Sequence, residues 1–193
     1  MLLLIGGAPG VGKSTVAQRV AHELGMLRLV DLDVIRDLLR IQSREQDDPM
    51  MFRNALNAWD LHGPMSQPTV VAGFQAHIRP LVGAASRLLD NYLRTSKSAI
   101  FHGVPLVPSH FARYRNLGVH LVLLAARNEE EYRARLSERG RLRAGRAPAK
   151  DRLDAGWILH QHLVADAAAC GVPIISEESE AQSASALLRR IGS

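Results

Sequence analysis

Apolar residues in this chain fall into short, mostly apolar runs separated by stretches with helical spacing. The runs are Leu2 to Ile5, Leu27 to Val30, Ser98 to Phe101, Gly118 to Leu124 and Val172 to Ile175. Runs that short, without polar alternation, predict strands covered on both faces, as in a parallel sheet. Behind the first run, Val16, Ala17, Val20, Ala21 and Leu24 repeat at helical intervals and predict a helix from about Lys13 to Leu24, ended by Gly25. A second helix is expected through Ile35, Leu38 and Leu39, with Asp33 able to cap it. A long helix is expected from Thr69 to about Leu93, bent or interrupted at Pro80. Helices from Glu129 to about Arg139, about Asp151 to Cys170, and Ala181 to Ile191 complete the series. Residues 42–67 are polar, contain Pro49 and Pro64, and carry one short helical piece around Met51 to Trp59. Strands alternating with helices predict one α/β domain, a parallel sheet with helices on both faces. Ligands of such sheets bind at the carboxyl ends of the strands. That gathers the loop at 6–15, Asp31 and Asp33, His102, Arg127 and Ser176.

The loop after the first run changes the picture most. Gly6 to Thr15 reads GGAPGVGKST, and from Gly7 it fits Gly, four residues, Gly-Lys-Ser. Gly7, Gly10 and Gly12 let the backbone curl so that successive N–H groups point at phosphate oxygens, and the following helix adds its positive end. The expected nucleotide-binding set is Gly7, Ala8, Pro9, Gly10, Val11, Gly12, Lys13, Ser14 and Thr15. Lys13 is expected to reach the β- and γ-phosphates of a nucleoside triphosphate, and the Ser14 hydroxyl to hold Mg²⁺. A chance glycine-rich turn would not combine an apolar strand before it with an amphipathic helix after it.

Asp31-Leu32-Asp33 closes the second run. Two acids at a strand end divide naturally into Asp31 beside the metal and Asp33 as the base that takes a hydroxyl proton. The plainer alternative is a helix cap at Asp33 and a solvated Asp31. Arg36, one turn beyond, suits an ion pair with Asp33 or a bidentate grip on an anion. Arg133, Arg135, Arg139, Arg141, Arg143 and Arg146 crowd a glycine-containing segment whose 139–150 portion reads as a lid. Arginine forks stabilise a transferring phosphoryl group, and Arg139 and Arg143 are the expected contacts. The others pair as solvated helix charges with Glu129 to Glu131. Residues 43–95 are assigned to acceptor binding, with Gln75, Arg79 and His77 as candidates against the alternative of a plain polar helix face. His102, at the tip of the third run, stands where a metal-organising carboxylate is common. It is a substrate contact or a structural histidine, with Asp31 taking the metal task. His160 and His162 read as surface or core histidines.

Composition narrows the class. A chain of 193 residues with 47% hydrophobic and 22% charged residues is globular. No apolar run reaches the length of a membrane span, and the opening MLLLI lacks the charged region of a signal peptide. Cys170 stands alone, which excludes an internal disulfide and a cysteine metal site, and a cytoplasmic location is expected. The net charge of +5 invites nucleic acid as a partner. Only Lys13, Lys97 and Lys150 are lysines and aromatics are 5%, which argues against it.

Four segments together carry a resemblance: LLLIGGAPGVGKSTVAQRVAHELG, DLDVIRDLLR, HGVPLVPSH and GVPII. They resemble archaeal-type 2-phosphoglycerate kinases over nearly the whole chain. The resemblance implies a three-layer P-loop NTPase fold like that of nucleoside monophosphate kinases, with a five-stranded parallel sheet in the order 2-3-1-4-5. It also implies ATP as donor, Mg²⁺ and a small acceptor hydroxyl, with Lys13 and Ser14 serving ATP and metal. Asp33 and Arg36 match the family's Asp-x-x-Arg after strand two. Where the family has an acid before Gly103 and a histidine at position 105, this chain has His102 and Pro105. The Asp-x-Asp also resembles that of shikimate kinase and its relatives. The leading expectation is a small-molecule kinase in which Asp33, Arg36, Gln75, Arg79 and His102 meet the acceptor. A nucleic-acid-directed kinase, similar to seryl-tRNA or polynucleotide 5′-hydroxyl kinases, is the second reading. A non-catalytic ATP-binding switch is the third.

Overall fold

All six residues of the first strand, β1 (Leu2–Gly7), are buried, as a strand needs when sheet neighbours lie on both edges and helices on both faces. The computed structural model describes residues 1–192; Ser193 and the side chain of Arg143 lie outside the described part. The other strands are β2 (Leu29–Asp31), β3 (Ala99–His102), β4 (Val119–Leu124) and β5 (Ile174–Ile175). They form one parallel sheet in the order β2-β3-β1-β4-β5, the order the resemblance implied. Register fixes the site: Ile5 and Asp31 both pair with His102, and Gly7 pairs with Leu124. The start of the phosphate loop, the acid pair and His102 therefore leave the sheet side by side.

The helices are α1 (Lys13–Glu23), α2 (Leu32–Ile41), α3 (Gln67–Arg94), α4 (Pro108–Phe111), α5 (Glu129–Ala144), α6 (Lys150–Ala169) and α7 (Glu180–Ile191). α1 packs with α7 and α3 with α6, giving the two helical layers. α1 turns Val16, Ala17, Val20 and Ala21 inward, the spacing read from sequence. The core is continuous from Leu3, Leu4 and Ile5 through Phe101 to Phe74, Tyr132 and Leu159.

Several local expectations are corrected. α2 is capped by Asp31, whose carboxylate accepts the Asp33 N–H at 2.9 Å, because the helix begins directly after the strand; Asp33 is already inside it. α3 runs unbroken through Pro80, starting from a Ser66–Thr69 capping box. Residues 42–67 hold two 3-10 turns, Pro49–Phe52 and Ala58–Leu61, in place of one helical piece. The second turn lies hard against α3: a Cβ on Gly73 would come 2.6 Å from the Ala58 carbonyl carbon. α5 continues five residues past its expected end at Arg139 and stops at Gly145, φ 69. Its Arg, Leu, Glu and Ala content favours helix strongly enough to carry it through Gly140. The 139–150 segment thus comprises the end of α5, a short connection and the first residue of α6.

Candidate active site

The phosphate loop takes the shape its glycines permit. Gly10 and Gly12 have φ of 92 and 86, and Lys13 opens α1 directly after Gly12. At Gly12 space is closed as well, since a Cβ would meet the Glu180 side chain at 2.8 Å. Lys13 is buried, 9% exposed, and its Nζ donates to the Ala8 carbonyl at 2.8 Å across the loop.

Above this loop lies a cavity of about 400 Å³, bordered by Gly10, Gly12, Lys13, Ser14 and Thr15. Asp31, Asp33, His102, Arg135, Arg139 and Glu180 also reach it. Gly7, Ala8 and Val11 are buried and do not border it, and Pro9 faces a second cavity. This second space, also about 400 Å³, opens between α2, the 54–56 stretch, α3, Val104-Pro105 and the α5–α6 connection. Asp33, Val104 and Arg139 border both cavities. Each therefore stands where the two cavities adjoin.

The acid pair divides its work by geometry. Asp31 Oδ1 holds the Asp33 N–H and lies 3.9 Å from His102 Nδ1. Burial pushes the His102 imidazole below the ordinary histidine range, against the opposing pull of the Asp31 carboxylate. His102 borders the first cavity and not the second. No cluster of three or more His, Cys, Asp or Glu side chains suited to a metal ion exists among the described residues. A protein-built metal cage is thus absent there, whereas Ser14 and Asp31 fit Mg²⁺, which is commonly held by one or two side chains plus phosphate oxygens and water.

Around the second cavity, Arg36 Nη2 is 3.2 Å from Asp37 Oδ1, while its Nε is buried without a hydrogen-bond partner among the described residues. His77 Nδ1 lies 3.4 Å from the Met50 carbonyl oxygen, and burial pushes its imidazole below the ordinary range. Gln75 and Arg79 are exposed and border neither cavity. α3 buries Gly73, Phe74, His77, Ile78 and Leu81, so the residues two positions from His77 point away. Periodicity was the available signal, and it selects His77 and Leu81.

The arginines also separate. Arg133 bridges Glu129 and Asp154, and Arg127 bridges Glu131 and Glu178. Arg135 pairs with Glu131 at 2.7 Å and donates to the Glu177 and Glu178 carbonyls. Arg139 borders both cavities, and the Arg143 side chain lies outside the described residues. His160 is a core histidine: its Nε2 accepts the Ala126 N–H at 2.9 Å and its ring stacks on Trp157. Asn54 and Leu56 border the second cavity from within the 43–95 region, though not as named candidates, while Arg152 and Glu180 border the cavities without any signal in their local sequence, because each comes from an element distant in the chain.

Comparison with known proteins agrees with this architecture. A family described as AAA domain matches residues 2–155. The 2-phosphoglycerate kinase of Methanopyrus kandleri is 30% identical over 186 residues, covering 92% of this chain and 56% of that protein. That of Pyrococcus horikoshii is 28% identical over 195 residues, covering 99% and 64%. The chain therefore spans 56% and 64% of the length of these two curated relatives. Among solved structures, shikimate kinase from Acinetobacter baumannii in complex with shikimate has a TM-score of 0.56 at 16% identity, covering 98% of this chain and 91% of that one. A gluconokinase from Sinorhizobium meliloti has a TM-score of 0.52 at 15% identity, with the same coverage. At such identities the likeness is one of fold.

Proposed function

The chain belongs to the AAA domain family, and on that premise we propose that it moves the γ-phosphoryl group of ATP to a hydroxyl of a small anionic metabolite. One observation carries the reading: Asp33 and Arg139 border both the phosphate-loop cavity and the second cavity. A base and a cation where two cavities adjoin suit transfer between two bound molecules better than hydrolysis of one. The names of the curated relatives, 2-phosphoglycerate kinases, support an acceptor of this class.

ATP occupies the first cavity, its phosphates against the loop amides and Lys13. Lys13 exchanges its bond to the Ala8 carbonyl for phosphate oxygens. Ser14 and Asp31 would hold Mg²⁺, which neutralises phosphate charge when bound. The acceptor sits in the second cavity with its hydroxyl toward Asp33. Asp33 takes the hydroxyl proton while the acceptor oxygen bonds to the γ-phosphorus and the bond to ADP breaks. Arg139 offsets the charge on the phosphoryl oxygens in flight. The Asp31 cap keeps the backbone under Asp33 fixed, so the base needs no reorientation.

The test is ADP release with ATP, Mg²⁺ and a panel of hydroxy acids, sugars and phosphoglycerates, for the wild type and Asp33→Asn. Acceptor-dependent release in the wild type and its loss by about 10²-fold or more in the variant supports the reading. Full acceptor-dependent turnover in Asp33→Asn overturns the assignment of the base.

A further inference from the structure

The wall of the second cavity is unlike what a small, fully oxygenated acid needs. One side of it is apolar: Leu56, Ile78, Leu81, Val104 and Leu136 reach the space, with prolines beside them, while Asn54, His77 and the charged groups make up its polar part. Ile78, Leu81 and Leu136 are each no more than 2% exposed, so this wall belongs to the rigid core and not to a mobile flap. Charge is confined to one carboxylate, Asp33, and three guanidinium groups, Arg36, Arg139 and Arg152. Arg139 also borders the phosphate-loop cavity, which leaves Arg36 and Arg152 for the acceptor. The buried Arg36 Nε has no partner among the described residues, and Arg152 forms no described ion pair. His77, the remaining titratable group, is held toward its neutral form by burial and by the charge of Arg36.

From this wall, and resting on the kinase reading above, we infer that the acceptor is a hydroxy acid with an apolar carbon body, anchored by one carboxylate or phosphate between Arg36 and Arg152. A three-carbon acid with oxygen on every carbon presents no surface that Leu56, Ile78 and Leu81 can cover. An alkyl or ring body gains from the same wall as each methylene leaves water. The hydroxyl points to Asp33 where the cavities adjoin, the anion lies at the arginines, and the body fills the space between α3 and the α5–α6 connection. The chemistry is that of a ligand pocket with apolar walls and few, well-placed polar groups.

The experiment is calorimetric titration of the full chain with Mg²⁺ and a non-hydrolysable ATP analogue, using a graded set of 2-hydroxy acids. Glycolate, lactate, 2-hydroxybutanoate and 2-hydroxy-4-methylpentanoate differ only in apolar carbon, and 2-phosphoglycerate is the comparison. Affinity is expected to tighten along the series by up to about fourfold per added carbon, with the longest member binding more tightly than 2-phosphoglycerate. Arg152→Gln, an exposed position, is expected to weaken every member by about tenfold and to leave affinity for the ATP analogue unchanged. Leu56→Asn is expected to flatten the series. A flat or declining series, 2-phosphoglycerate binding best, or Arg152→Gln without effect overturns the inference. Absence of binding by the ATP analogue sinks the kinase reading instead, so the two failures are distinguishable.

Discussion

The Asp31 carboxylate accepts the backbone N–H of Asp33 at 2.9 Å, so the first acid of the pair anchors the backbone of the second. One residue thereby serves as helix cap and as candidate metal ligand, and substitution separates the two roles. Asp31→Asn keeps a side-chain oxygen for the cap, and its melting temperature should stay close to that of the wild type. Asp31→Ala should lose about 1 kcal/mol in urea denaturation. Both should require more Mg²⁺ for half-maximal turnover. An unchanged Mg²⁺ requirement in Asp31→Asn would remove the metal role.

Gly12 carries two constraints, a φ of 86 and the Glu180 side chain 2.8 Å from where a Cβ would stand. Gly12→Ala should cost about 1–2 kcal/mol from the left-handed backbone alone, with the contact adding to it. Adding Glu180→Ala should recover the contact part and leave the backbone part. Chemical denaturation of the two single variants and the double variant measures the coupling. Strict additivity would show that α7 does not confine the loop.

Arg139 and the outward residues of α3 make opposite predictions. Arg139→Gln should lower kcat by about 10²-fold, the scale of losing a preorganised charge at a transferring group. Gln75→Ala and Arg79→Ala, exposed and outside both cavities, should leave kcat and KM within about twofold. A large rise in acceptor KM in Arg79→Ala would mean that α3 rotates or moves when the acceptor binds.

Two of the three buried histidines, His77 and His160, have their pKa lowered from the ordinary 6.5 chiefly by burial and lie apart from Asp31. A lowered pKa means that the unfolded chain binds protons which the folded chain refuses. Their contribution to stability is complete above pH 6.5, and it is lost as pH falls from there through the folded-state values. Unfolding free energy measured by urea between pH 7.5 and 5 should therefore decline for the wild type. The decline should be shallower for His77→Gln and His160→Gln. Equal slopes in all three proteins would assign the acid sensitivity to other groups.

The local features of this chain were legible before any coordinates because they are written in neighbouring residues. Apolar runs marked the strands, of which β1 and β3 are buried throughout while the edge strands β2 and β5 are partly exposed, and the spacing of Val16, Ala17, Val20 and Ala21 marked the inward side of α1. The glycines of the phosphate loop announced a backbone that other residues adopt only under strain. The Asp31–Asp33 spacing marked a strand end with two carboxylates, though not which of them caps the helix. That choice depends on where the strand stops, which hydrogen bonding to β3 decides.

The second cavity was hidden for a different reason. Its wall is assembled from α2, the 54–56 stretch, α3, Val104-Pro105 and the α5–α6 connection, elements that no local pattern links. Leu56, Leu81 and Arg152 are ordinary residues in their own segments and become a chamber only when α3 packs on α6 and α5 turns back at Gly145. Exposed Gln75 and Arg79 looked like chemistry in the sequence, since polar side chains invite it, while apolar neighbours one turn away were the ones aimed at the cavity. The sequence by itself determined the strands, the phosphate loop and the acid pair, whose physics is local. Tertiary structure alone decided which side chains share a cavity, because that follows from long-range packing.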